Sequence, residues 1–175
     1  RREAGGLLYG EGPVEADIVV VVADSSVSAD IGYNEASGMP YEMGLIKNKY
    51  VGRTFIQPSQ ELREKGVLMK LSPVHSIVEG KRLVVVDDSI VRGTTSRRIV
   101  KMLRQSGAKE IHMRIASPAI TNPCFYGVDM STYDELICAR EKNLDAVRKI
   151  IGADSLEWLS SEALYKAAGC RKEMC

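Results

Sequence analysis

With 175 residues, 45% of them hydrophobic, the chain can bury one core and carry a small appendage. Lys and Arg total 24 against 23 Asp and Glu, a net charge of +1 that lacks the concentrated basic face of a nucleic-acid or membrane-surface binder. The longest apolar run, residues 18–23, is too short to cross a bilayer, so neither nucleic acid nor membrane is an expected partner.

In chain order, "ADIVVVVADSS" (16–26) reads as a buried strand ending in a turn, and "VSADIGYNEASG" as a helix stopping at Gly38. "PYEMGLI" (40–46) reads as a second strand. Residues 47–66 form a long polar segment with two glycines and a proline, whose last third reads as a short helix or a loop arm. An irregular stretch of that length in a compact domain is more often a functional lid than a simple connection. Residues 67–82 hold a strand and a turn, followed by the strand "LVVV" (83–86).

"TTSRRIVKMLRQSGA" (94–108) places Ile99, Val100, Met102 and Leu103 on one side of a helix closing at Gly107. "KEIHMRIASP" (109–118) alternates like a strand. Residues 132–142 and 143–153 read as two helices, then comes a brief "DSLEWLS", and residues 160–169 read as a helix. The opening "RREAGGLLYG" carries no assignment. Strands alternating with helices predict an α/β fold with a parallel sheet, and ligands of such sheets sit beyond the carboxyl ends of the strands.

Two turns occupy that position, "ADSS" (23–26) and "DDSIVRGTTS" (87–96). In the second, residues 91–95 supply consecutive backbone N–H groups, a glycine that permits close approach and the hydroxyls of Thr94 and Thr95, all at the positive end of a helix. That is a phosphate cradle, without the glycine and lysine spacing of a Walker loop. Asp87 and Asp88 repel one another, so stability alone does not recommend the pair. They can accept hydrogen bonds from vicinal sugar hydroxyls, or hold Mg²⁺ through oxygen ligands. A sugar phosphate satisfies cradle and aspartates at once. His75 and His112 are lone histidines in or beside strands and read as structural.

"VVVDDSIVRGTTS" resembles the phosphoribosyl pyrophosphate (PRPP) signature of type I phosphoribosyltransferases. "GLIKNKYVGRTFIQPSQELREKGVLMKLS" and "RIASPAITNPCFYGVDMST" resemble more narrowly the amidophosphoribosyltransferase family, over residues 13–161. The resemblance implies a parallel-sheet type I phosphoribosyltransferase fold with a flexible active-site loop. It further implies a cytoplasmic enzyme that forms 5-phosphoribosylamine and pyrophosphate from PRPP and ammonia, the latter delivered from glutamine. Asp24, Ser25 and Ser26 would meet the pyrophosphate. Asp87 and Asp88 would bind ribose and, with Ser25, Mg²⁺. Ser89, Val91, Arg92, Gly93, Thr94 and Thr95 would hold the 5′-phosphate. Tyr50, Arg53 and Thr54 would close over the substrate. The family's usual Pro-Asp-Ser turn reads Ala23-Asp24-Ser25 here.

The four cysteines, Cys124, Cys138, Cys170 and Cys175, read as reduced thiols or metal ligands rather than disulfides. By resemblance, Cys124 and Cys175 match two ligand positions of the [4Fe–4S] cluster carried by one branch of the family, and Cys138 and Cys170 match none. Residues 162–175 are expected to form a C-terminal helix and the start of a truncated tail. The family's N-terminal glutaminase domain is not expected in this chain, which opens on Arg1, so ammonia alone is the expected nitrogen source. Homo-oligomerisation and purine nucleotides as feedback ligands are further implied. Two other readings stay open: a salvage enzyme that adds a base to PRPP, and a PRPP-binding regulatory module without chemistry.

Overall fold

The computed structural model describes residues 1–22, 26–47, 71–128, 130, 132–141 and 143–170. Its architecture starts from "LVVV": Leu83, Val84, Val85 and Val86 are all completely buried, which requires cover on both faces of their strand. They belong to β5 (Arg82–Asp87), the centre of a five-stranded sheet. To one side lie β1 (Ile18–Val21) and then β2 (Tyr41–Glu42). To the other lie β6 (Glu110–Ile115) and then β7 (Ser155–Trp158). Every pairing is parallel, with Val21 beside Val86 and Val86 beside Arg114. The expected α/β class is therefore the observed one.

The helices divide between the two faces. α1 (Arg2–Glu11), α2 (Val27–Ser37) and α7 (Ser161–Ala168) cover one, burying Leu8, Ala29, Tyr33 and Ala163 against Val19, Val84 and Val86. The other face carries α3 (His75–Val78), α4 (Thr94–Gln105), α5 (Ile137–Arg140) and α6 (Leu144–Ile151). There Ile99, Leu103, Val147 and Ile151 pack on Val85, Ile111 and Met113. The alternation along β1 and β5 is the period of two that a strand dictates. A separate antiparallel pair, β3 (Leu45–Lys47) with β4 (Leu71–Pro73), joins the second core through Leu45 and Leu71.

Several boundaries differ from the sequence-based expectation, each for a local reason. Residues 40–46 are not one strand: β2 extends the main sheet and β3 leaves it, the break falling at Gly44, where a Cβ would lie 2.9 Å from Val20 Cγ2. Residues 132–142 are not one helix. A 3₁₀ turn (Tyr133–Glu135) and α5 are separated by Leu136, which is extended and fully buried. "DSLEWLS" contains the edge strand β7, and α4 ends at Gln105, short of Gly107.

The unassigned opening is α1, which with α7 joins the core that covers β1 and β5, so the packed unit extends past both ends of 13–161. α1 lies so close to α2 that a Cβ on Gly32 would stand 1.8 Å from the Arg2 carbonyl oxygen, and one on Gly5 1.9 Å from that of Ala29. Here glycine is required because two backbones touch. Gly32→Ala should therefore cost about 1–3 kcal/mol or more through forced separation of the helices. Chemical denaturation reads this as a lower midpoint, and an unchanged midpoint would show that the contact is not rigid.

Candidate functional site

Parallel pairing carries β1 and β5 to a common carboxyl-terminal edge, and Asp87 and Asp88 lie there. Asp87, the last residue of β5, is 6% exposed. Its carbonyl accepts from the Ala116 N–H (2.9 Å), and its Oδ1 accepts from the Asp88 N–H (2.9 Å). Burial first, and then the neighbouring Asp88, push the Asp87 carboxyl up to about 7. Asp88 is half-buried and lines a cavity of about 340 Å³ with Ser26, Ala29, Ala116 and Leu164.

A third carboxyl, absent from the sequence-based list, joins them. Asp30 on α2 is completely buried, and burial raises it to about 7, with Asp88 adding to the rise. Ser26 Oγ stands 2.7 Å from the Val22 carbonyl oxygen and 2.9 Å from Asp30 Oδ2. One hydroxyl proton cannot serve two acceptors. A protonated Asp30 resolves this by donating to Ser26 while Ser26 donates to Val22. Asp30 Oδ1 is buried without a partner among the described residues.

Beyond Asp88 the chain enters the predicted phosphate cradle. Ile90 is buried in the α4-side core and anchors the turn. Gly93 has φ +73°, and a Cβ there would stand 2.7 Å from Ile137 Cδ1, so glycine is fixed by both backbone and space. It caps the twelve-residue α4, whose amino end has no side-chain cap and no acidic residue in its first turn. Thr94 and Thr95 are exposed and Ser96 is buried. The helix thus presents unsatisfied N–H groups and its positive end to an incoming anion.

The structure therefore brings Ser26, Asp87, Asp88, Ser89, Val91, Arg92, Gly93, Thr94 and Thr95 to one edge of the sheet. Asp24, Ser25, Tyr50, Arg53, Thr54, Cys175 and the expected lid after Lys47 lie outside the described residues. Sequence reasoning missed Asp30, which carries no motif. It also missed Glu135 and Ile137, which reach the cradle from a distant segment.

Two adjacent hard carboxylates, of which Asp87 is kept from ionising by burial and by its neighbour, suit a dication that offsets both effects, so the site fits Mg²⁺. An iron–sulfur cluster finds less. Among the described residues no group of three or more His, Cys, Asp or Glu gathers to hold a metal. Cys124 accepts from the Tyr126 N–H (3.4 Å), and the amides of Tyr126 and Val128 lower its thiol below the ordinary value, which suits one ligand of a set. Cys138 is buried, its thiol pushed up by that burial, and His112 is held between Glu110 and Ser155.

No protein-family model matches the chain. It is 63% identical over 169 residues to an amidophosphoribosyltransferase of Bacillus subtilis, covering 97% of this chain and 35% of that protein. The corresponding enzyme of Methanocaldococcus jannaschii is 57% identical over 175 residues, covering 100% of this chain and 37% of the relative. The chain thus spans little more than a third of the curated relatives it matches. Among solved structures, glutamine PRPP amidotransferase from B. subtilis complexed with ADP and GMP superposes with a TM-score of 0.87 at 60% identity, covering 99% of this chain and 38% of that one. A structure described as the allosteric regulatory enzyme of purine biosynthesis superposes equally well, with a TM-score of 0.87.

The raised carboxyls set a pH dependence. Both Asp30 and Asp87 keep a proton in the folded chain up to about 7, whereas unfolded they ionise at the ordinary aspartate value of 3.8. The folded state therefore binds more protons between those limits, and stability falls as pH rises through that window. In EDTA, the Tm should drop from pH 5 to pH 8, and Asp30→Asn should flatten the slope and raise the Tm at pH 8. A Tm that climbs with pH over this range would show that the cluster does not hold its protons.

Proposed function

We propose that this chain, homologous over nearly its whole length to amidophosphoribosyltransferases, is the phosphoribosyl-transferring part of such an enzyme. It would join ammonia to C1 of PRPP, releasing pyrophosphate and 5-phosphoribosylamine and opening purine synthesis. The carrying observation is one juxtaposition: paired carboxylates at the end of a fully buried strand, directly followed by the uncapped amide end of α4.

That order matches the substrate's own. The N–H groups and hydroxyls of residues 91–95 receive the 5′-phosphate, while Asp87 and Asp88 accept hydrogen bonds from the ribose diol. Asp87, Asp88 and, by likeness to the family, Ser25 would hold Mg²⁺, which would supply charge neutralisation to the pyrophosphate. Displacement at C1 passes through an oxocarbenium-like centre, so the protein's task is fixed geometry and exclusion of water. β5 provides the first, since its four apolar residues leave Asp87 no room to shift. Tyr50, Arg53 and Thr54 are assigned to the second by their likeness to the family's loop.

The same likeness assigns Cys124 and Cys175 to a [4Fe–4S] cluster, for which the described residues supply the single ligand Cys124, and no step runs through it. Purine nucleotides are proposed as feedback ligands, because the solved relative was complexed with ADP and GMP. A cytoplasmic setting is proposed from the biosynthetic role. No helix among the described residues is long and apolar enough to cross a membrane.

Supplied with ammonia, Mg²⁺ and PRPP, the protein should release pyrophosphate, and the rate should climb as pH rises and free ammonia becomes available. The paired change Asp87→Ala with Asp88→Ala should lower kcat/KM by about a hundredfold or more, as expected for loss of groups that orient the reacting sugar. A folded protein that binds PRPP but remains inert to ammonia would replace this reading with the regulatory-module one.

A further inference from the structure

Arg92, in the middle of the cradle, does not extend freely from it. Its Nη2 donates to Glu135 Oε1 at 2.9 Å, across 43 positions of sequence. Two further links join the same segments. The Ile137 N–H donates to the Val91 carbonyl at 2.9 Å, and the Ile137 side chain fills the space that a Cβ on Gly93 would need. Three consecutive cradle residues, Val91, Arg92 and Gly93, are thus each held by the segment 135–137.

That segment is itself built to stay in place. Leu136 is completely buried and Ile137 nearly so, and the Leu136 N–H closes the 3₁₀ turn onto the Tyr133 carbonyl (3.0 Å). Glu135 keeps its second oxygen, Oε2, buried with no hydrogen-bond partner among the described residues. A buried carboxylate oxygen left unsatisfied does not favour folding, so stability alone does not account for Glu135 at this position. The ion pair is half-exposed, Arg92 at 49% and Glu135 at 33%, so as a surface salt bridge it contributes little to folding. What it does contribute is direction. The guanidinium is drawn to Glu135, and the backbone on either side of Arg92 is tied to the same segment through Val91 and Gly93.

We propose that Glu135 is a positioning residue for the cradle: through Arg92 it holds residues 91–95 in the conformation that receives the 5′-phosphate. This rests on the PRPP reading of the site and adds to it the part that sets substrate affinity. Glu135 touches no reacting atom. Its effect is therefore on binding of the phosphate end, and it acts through Arg92 rather than through the fold.

The test uses the protein at its full natural length. Glu135→Ala should raise KM for PRPP about tenfold with kcat changed less than about twofold, the signature of lost uniform binding. Glu135→Gln, which keeps an oxygen for Arg92, should recover part of that loss. The double change with Arg92→Ala should be no worse than Arg92→Ala alone, because the two residues act as one unit. Independently of any substrate, hydrogen exchange at the amides of Gly93, Thr94 and Thr95 should quicken in Glu135→Ala, while the denaturation midpoint stays near that of the unaltered protein. Unchanged KM and unchanged exchange would overturn the proposal. So would additive losses in the double variant, or a fall in kcat and midpoint without a rise in KM. Should the unaltered protein fail to bind PRPP, the functional reading falls, and the exchange measurement still decides whether Glu135 holds the cradle.

Discussion

The whole arrangement depends on keeping two neighbouring carboxylates at the end of a strand that water does not reach. Asp87 is almost as buried as the valines before it, and the half-buried Asp88 follows it directly. Burial, and then the neighbouring Asp88, hold Asp87 short of ordinary ionisation. The stabilising parts of the molecule can be read as what makes this tolerable. Cover on both faces of β5 fixes the strand, the Ala116 amide ties down its end, and the Asp88 amide takes one carboxylate oxygen. Strand alternation sends the Asp87 side chain toward the α4 face, while Asp88 lines the cavity beneath α2 and α7. Like charges so divided repel less than a pair on one face, and a ligand reaching both must lie across the open edge of the sheet.

The parts legible in the sequence were those whose signal is local. "LVVV" reads as a doubly covered strand because no polar residue interrupts it, and α4 announces itself by an apolar stripe that ends in Gly107. The cradle was legible because glycine, hydroxyls and a helix start fall within a few residues. The less legible parts depend on partners far away in the chain. α1 has two glycines in a row, which local propensity counts against a helix, although Gly5 is needed there because the α2 backbone lies against it. Leu136 interrupts a helix-like pattern because its burial requires extended backbone. Asp30 looks like one more polar residue on an amphipathic helix until the fold places it beneath Asp88.

The sheet also shows how one polar row can sit inside an apolar frame. On the α1–α2 face, β6 presents His112 and Arg114 beside Val84 and Val86. Arg114 is 2% exposed, and its donors reach the Gly12 and Met113 carbonyls and the Ser155 hydroxyl. Desolvation draws its guanidinium below the ordinary value, yet those acceptors satisfy it and tie the end of α1 to β7. The carboxylates at the functional edge lack that degree of satisfaction. This contrast, rather than burial alone, separates a structural charge from one kept ready for a ligand.

The parallel sheet has a consequence for how the chain is made. Ile18 pairs with Leu83, about 65 residues later, so the apolar segment of β1 leaves the ribosome long before β5 exists to cover its edge. At about 5–20 residues per second the wait is several seconds, during which four β-branched residues lack the partner of one edge. Such a segment is a template for the wrong partner, including the same segment of another nascent chain. The strand that positions the chemistry most rigidly in the finished protein is thus bound to a neighbour that is most exposed during synthesis.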